Sequence, residues 1–152
     1  MEVISDTSFL MVLCYDPVKN LDALESRFGK LVWLIHPETI NELVQLEKTA
    51  GIKRSKIASL SLKIINDQLK KGDFKYLDNN ELDKLELPPQ QSNSAVDSIL
   101  LSISAEKRCP LATIDKNLIK RALKKGVDVV TLKSNRIIFV NSEVRSNLNY
   151  SQ

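Results

Sequence analysis

Short apolar runs alternate along this chain with segments whose apolar residues recur every three or four positions. Val3-Ile4-Ser5 reads as a first strand, and helical spacing follows from Phe9 to Tyr15, with Thr7 and Ser8 as candidate caps. Asp16-Pro17 breaks that helix, because the residue before a proline avoids helical geometry. Leu21, Leu24, Glu25 and Phe28 resume the helical period as far as Gly29. Leu31 to Ile35 is an unbroken apolar run, suited to a strand covered on both faces. Pro37 opens the next helix at its first turn, where a missing N–H costs little, and Ile40, Leu43, Val44 and Leu46 carry it towards Gly51.

Ile57, Leu60, Ile64, Ile65 and Leu69 form a further amphipathic helix that stops at Gly72. Phe74-Lys75-Tyr76-Leu77 is a short strand candidate, followed by an acidic connection and a Pro88-Pro89 loop. A helix capped by Ser92, Asn93 or Ser94 then carries Ala95, Ile99, Leu100 and Ile103. Cys109 to Ile114 is a clear strand, a helix follows from Lys116 to Lys125, and Val127–Leu132 and Ile137–Val140 are the last strands. From Asn141 the tail is polar. Strands alternating with helices predict one α/β domain built on a parallel, doubly wound sheet with right-handed crossovers.

Four acids punctuate this pattern. Asp6 and Asp115 end strands, Asp97 interrupts the apolar start of a helix, and Glu42 lies in the helix that Pro37 opens. Strand C-terminal ends and the neighbouring helices line a common crevice in open α/β sheets. Carboxylates gathered there repel one another and call for a hard cation such as Mg²⁺ or Mn²⁺. Each acid has a plainer reading. Asp6 and Asp115 could cap the helices that follow them, whereas Asp97 in an apolar run needs a partner, a hydrogen bond or a metal. Glu42 is the weakest on pattern alone, with Glu38 competing for its place one helical turn earlier. His36, the only histidine, reads as a surface or supporting residue, and Trp33 as core.

At 152 residues, with 43% apolar and 27% charged positions, the chain predicts a soluble, cytoplasmic protein of one domain. No apolar run reaches the ~20 residues of a membrane span. Cys14 and Cys109 lack CxxC spacing and read as buried thiols. With four glycines and neither GxGxxG nor GxxxxGK[ST], glycine-rich phosphate cradles are excluded. The net charge of +3 is small, but basic residues cluster between Lys53 and Lys71 and again between Lys116 and Lys125. Basic clusters beside an acidic pocket suit a polyanion, and Lys53, Arg54 and Lys56 are candidates for contacts to an RNA backbone.

Taken together, Val3 to Leu10, Glu42 in its helix, Asp97-Ser98-Ile99-Leu100 and Ala112 to Leu118 resemble the PIN-domain nucleases, over most of the chain from Val3 to about Val140. The ending from Lys124 to Ile138 is more similar to small archaeal PIN proteins related to those of ribosomal RNA processing, with VapC-type toxins as second relatives. The resemblance implies a three-layer α/β/α fold around a central, mostly parallel sheet in a PIN-like domain at 1–140, with residues 141–152 as a tail. It implies a divalent-metal-dependent endoribonuclease, with Asp6, Glu42, Asp97 and Asp115 as the catalytic quartet. Asp6, Asp97 and Asp115 would hold Mg²⁺ or Mn²⁺, and Ser8 and Thr113 would orient the carboxylates. RNA is the implied partner, a homodimer and an antitoxin or ribosome-assembly protein are further ones, and a catalytically weak scaffold is the alternative.

The chain departs from the pattern twice. Val96 stands where the ribosomal RNA-processing relatives often have another Asp, and Ile114 where many PIN domains have Asn. A haloacid-dehalogenase-type phosphatase also places an Asp after its first strand, but needs a second two positions later, where this chain has Ser8.

Overall fold

A computed structural model describes residues 1–78 and 93–142. The loop expected at 88–92, the acidic connection beyond Asp78 and the tail beyond Ser142 lie outside the described residues. The chain runs β1 (Glu2–Ser5), α1 (Thr7–Tyr15), α2 (Leu21–Phe28), β2 (Val32–Ile35), α3 (Pro37–Thr49), α4 (Ile52–Lys71) and β3 (Phe74–Tyr76). It continues through α5 (Asn93–Lys107), β4 (Leu111–Ala112), α6 (Lys116–Lys124), β5 (Val129–Lys133) and β6 (Arg136–Val140). The six strands lie in the order β3-β2-β1-β4-β5-β6. The four pairings from β3 to β5 are parallel.

Strand alternation sorts the core into two layers, one on each face of the sheet. Val3, Trp33, Ile35, Ala112 and Val130 face a cluster with Phe9, Leu10, Leu43 and Ile65 from α1, α3 and α4. Their neighbours Ile4, Leu34, Leu111 and Val129 face Leu100, Leu101, Leu118 and Ala122 from α5 and α6. The result is a three-layer α/β/α fold. Phe9 and Trp33 anchor the first layer with ring centroids 5.4 Å apart, a pairing worth about 0.5–1.5 kcal/mol beyond its buried area.

The sheet is mostly parallel, as expected, and the last strand is its antiparallel exception. β6 pairs antiparallel with β5, from Val129 opposite Val140 to Lys133 opposite Arg136. A parallel return would need a crossover of a dozen or more residues, and only Ser134 and Asn135 separate these strands. Both take positive φ, 51° and 61°, which is the type I′ geometry whose twist matches a hairpin.

Element boundaries also shift. α4 begins at Ile52, five residues before the first residue of its apolar stripe, because Gly51 serves as its N-cap instead of only ending α3. Gly72, at φ 87°, terminates it as expected. β4 is reduced to Leu111–Ala112, since the chain turns after Thr113 to start α6. Trp33 is core, Cys109 is buried, and Cys14 is a partly buried free thiol whose pKa burial raises to about 11.

Candidate functional site

β1 lies between β2 and β4, so the connections leaving β1 and β4 diverge to opposite faces and open a crevice at the strand ends. A cleft of about 630 Å³ occupies that position, and Asp6, Glu42, Asp97 and Asp115 all line it. Each of the four arrives by a different route.

Asp6 is the first residue past β1, and its N–H still bonds to the Ala112 carbonyl at 3.0 Å. Its Oδ1 accepts from the Phe9 N–H (2.8 Å) and the Ser8 hydroxyl (2.9 Å). Asp6 itself is therefore the N-cap of α1, in place of Thr7 or Ser8. Its Oδ2 accepts a short hydrogen bond from the Thr113 hydroxyl. Burial pushes the Asp6 carboxyl upward in pKa, opposed by the bonds from Thr113, Phe9 and Ser8, and Asp115 adds a smaller upward push.

Asp115 caps α6. Its Oδ1 accepts from the N–H groups of Asn117 (2.8 Å) and Leu118 (3.3 Å), and its own N–H donates to the Thr113 oxygen at 3.0 Å. Thr113 is fully buried and its N–H bonds to the Val130 carbonyl at 3.1 Å, so one hydroxyl joins both strand-end acids to the sheet. Ser8 and Thr113 thus both donate to the Asp6 carboxylate, whereas Thr113 meets Asp115 through the Asp115 backbone N–H and not its carboxylate.

Glu42 projects from α3 and accepts from the Thr7 hydroxyl at 2.5 Å. Burial raises its pKa, the Thr7 bond opposes that, and Asp97 and Glu38 add to the rise. Asp97, in the first turns of α5, has its pKa pushed up to about 6 by burial and then by Asp6 and Asp115, against the opposing charge of Arg121. Arg121 on α6 donates to the Ser98 hydroxyl at 2.7 Å.

Arg54 lines the cleft, whereas Lys53 and Lys56 are exposed residues of α4 that do not border it. Glu38 lines it beside Glu42. His36 is 5% exposed, not a surface residue, and its Nδ1 accepts the Glu38 N–H at 2.9 Å as the N-cap of α3. That bond requires neutral imidazole, and burial lowers the His36 pKa in agreement. Asp128 accepts from the Ser142 N–H and hydroxyl, away from the cleft.

Several lining residues carried no individual weight in the sequence. Gln45 and Thr49 continue the face of α3 that holds Glu38 and Glu42, and Asn41 flanks it. That polar stripe, spaced by three or four positions, was a readable signal. The Thr7–Glu42 bond spans 35 positions, and no local pattern announces it.

Among the described residues, no group of three or more His, Cys, Asp or Glu side chains is drawn closely enough together to hold an ion alone. The cleft nonetheless offers only hard oxygen donors among its acids, and after burial, the charge of neighbouring acids adds to the raised pKa of Asp6, Glu42 and Asp97. Such a set suits Mg²⁺ or Mn²⁺ with water completing the shell, because Mg²⁺ usually retains several waters. No helix among the described residues is long and apolar enough to cross a membrane.

No family model matches this chain, and no curated protein matches its sequence. Solved structures do match it in shape. The structure of the PIN domain endonuclease Utp24 superposes with a TM-score of 0.57 at 20% identity, covering 92% of each chain. A domain of a functionally unknown protein from Methanocaldococcus jannaschii DSM 2661 superposes with a TM-score of 0.56 at 14% identity, covering 88% of this chain and 91% of that one. The chain has the PIN-domain fold.

Proposed function

We propose that the chain is a divalent-metal-dependent endoribonuclease that hydrolyses RNA phosphodiesters in the acidic cleft. The observation that carries this reading is the arrival of Asp6, Glu42, Asp97 and Asp115 in one cleft from four separate elements. Asp6, Asp97 and Asp115 would hold Mg²⁺ or Mn²⁺, with Glu42 completing the acidic set. When bound, the ion would supply an activated water and offset charge developing on the phosphate. Ser8, the Phe9 N–H and Thr113 fix the orientation of Asp6, and Thr7 fixes Glu42. Arg54 at the cleft, with Lys53 and Lys56 further along α4, would hold the phosphate backbone.

The test is cleavage of single-stranded RNA by purified protein with Mn²⁺. Asp6→Asn and Asp97→Asn should each lower the rate by at least about 100-fold, beyond what loss of a supporting residue costs, while circular dichroism stays native. Cleavage unchanged by both substitutions and by excess EDTA overturns the mechanism.

A second reading has its own support. Asp6 and Asp115 each commit an oxygen to a helix cap, and no ready ion cage exists among the described residues. Under that reading the fold is an RNA-binding or protein-binding scaffold, and calorimetry detects no Mn²⁺ uptake at millimolar concentration.

A further inference from the structure

We propose that Val96 and Ile114 form an apolar seat for one unpaired nucleobase beside the acidic centre, so that the cleft selects RNA single-stranded at that position. The proposal deepens the reading of the cleft as an RNA site and rests on it. Each residue immediately precedes a cleft acid, Val96 before Asp97 and Ile114 before Asp115, and both side chains line the cleft. They come from opposite partners in the site, one from α5 and one from the end of β4. Buried Leu100, a turn after Val96, continues the apolar surface into the cleft.

Ile114 is 39% exposed, although the residues on both sides of it are pinned. The Thr113 N–H is bonded to the Val130 carbonyl, and the Asp115 N–H to the Thr113 hydroxyl. The chain therefore presents an aliphatic side chain to the cleft on rigid backbone. Aliphatic carbon neither ligates an ion nor bonds a phosphate, so these two side chains contribute nothing to holding either. What they can cover is the face of a base, as apolar side chains do where a base is taken out of its stack. A base within a duplex is stacked on both faces and cannot reach them.

Once a bound cation offsets the cleft acids, the remaining charge favours a nucleotide over an apolar peptide as the occupant. Arg54 lines the cleft from α4, and Arg121 stands on α6 near Asp97, bonded to Ser98. Two cations this near the acids can meet the phosphates that flank a base.

The test is anisotropy binding of a short single-stranded RNA, with Ca²⁺ replacing Mn²⁺, using a set of strands each carrying one abasic nucleotide. One abasic position should weaken binding to the unmodified protein by about fivefold. Ile114→Ala should weaken the intact strand by a similar factor and erase that dependence; Val96→Ala should do so in part, and Ile114→Val should restore it. Ile114 is on the surface and Val96 is half-buried against the core, so a native circular dichroism spectrum is the control for each variant. The proposal is overturned if both alanine variants keep the full abasic penalty, or if no RNA binds. Binding without a penalty at any position also overturns it and assigns the seat to an apolar side chain of a protein partner. An intact abasic pattern without Mn²⁺-dependent cleavage supports the seat and removes only the nuclease reading.

Discussion

On the strand-end wall of the cleft, Asp6 and Asp115 are held by backbone N–H groups and by the single buried hydroxyl of Thr113; on the helix wall, Glu42 and Asp97 extend from α3 and α5 with far fewer bonds. The first wall extends the sheet: Asp6 is buried at the end of β1, and the exposed Asp115 is held by the N–H groups that open α6. The second depends on how two helices from opposite layers pack, and its carboxylates are half-buried. The difference in bonding predicts that the strand-end acids are the fixed reference and the helix acids the ones that adjust to a bound ligand.

Removing one hydroxyl from each wall breaks that comparison most directly. Thr113→Val leaves a buried Asp6 oxygen without its donor, at a cost of about 1–3 kcal/mol in stability. If Asp6 holds the ion as proposed, Mn²⁺-dependent cleavage should fall by about 10–100-fold, the usual cost of removing a residue that orients a metal ligand. Thr7→Val frees Glu42, which water can still reach, so its cost should stay near the low end, about 0.5–1 kcal/mol and tenfold. Denaturant melts and single-turnover rates of the two variants give the comparison. Equal effects would mean that the helix wall is as rigid as the strand ends.

The same division explains what the sequence revealed. Asp6 and Asp115 were legible because a strand end followed by a helix start is written in adjacent residues, and Thr113 two positions before Asp115 could be placed beside it. Their capping role competed with the catalytic one in the sequence, and the geometry shows that one carboxylate does the capping while still facing the cleft. Glu42 could not be separated from Glu38 by pattern, since both lie on one helix face and both line the cleft. Its partner Thr7 is fixed only by the packing of α1 against α3. β6 was legible as a strand, but its antiparallel direction was not, because Ser134-Asn135 lacks the glycine that usually marks a type I′ turn. Of the two readings of His36, surface or supporting, the structure leaves the supporting one, because its capping bond depends on which way the imidazole turns after β2.

Acidity sharpens the comparison at the next level. Asp97 rises from 3.8 to about 6 in the fold, so between those values the native state holds a proton that the unfolded chain has released. Metal-free protein should therefore lose stability as pH rises through that window and level off above it; the raised Asp6 and Glu42 act in the same direction. Asp97→Asn should flatten the slope and raise Tm at pH 7 by roughly 2–4 °C, the shift expected of about 1 kcal/mol after allowing for solvent screening. Mn²⁺ should raise the Tm of the unmodified protein at pH 7 and leave that of Asp97→Asn nearly unchanged. A pH-independent Tm would show that the helix wall exacts no electrostatic strain.

The smallest effects belong to the basic residues, and they separate position from charge. Arg54 lines the cleft and can meet a phosphate held next to the acids, whereas Lys53 and Lys56 stand on α4 outside it. Each cation that neutralises a phosphate of single-stranded RNA steepens the slope of log affinity against log salt by about 0.7. Arg54→Ala should reduce both that slope and the cleavage rate. Lys53→Ala and Lys56→Ala should reduce the slope by less and leave the rate at saturating RNA unchanged, because they act only before the strand reaches the cleft. Filter binding over a salt series, with cleavage measured in parallel, distinguishes the two. If Lys53→Ala lowers the saturated rate as far as Arg54→Ala does, the strand bends along α4 and the productive surface extends beyond the cleft walls.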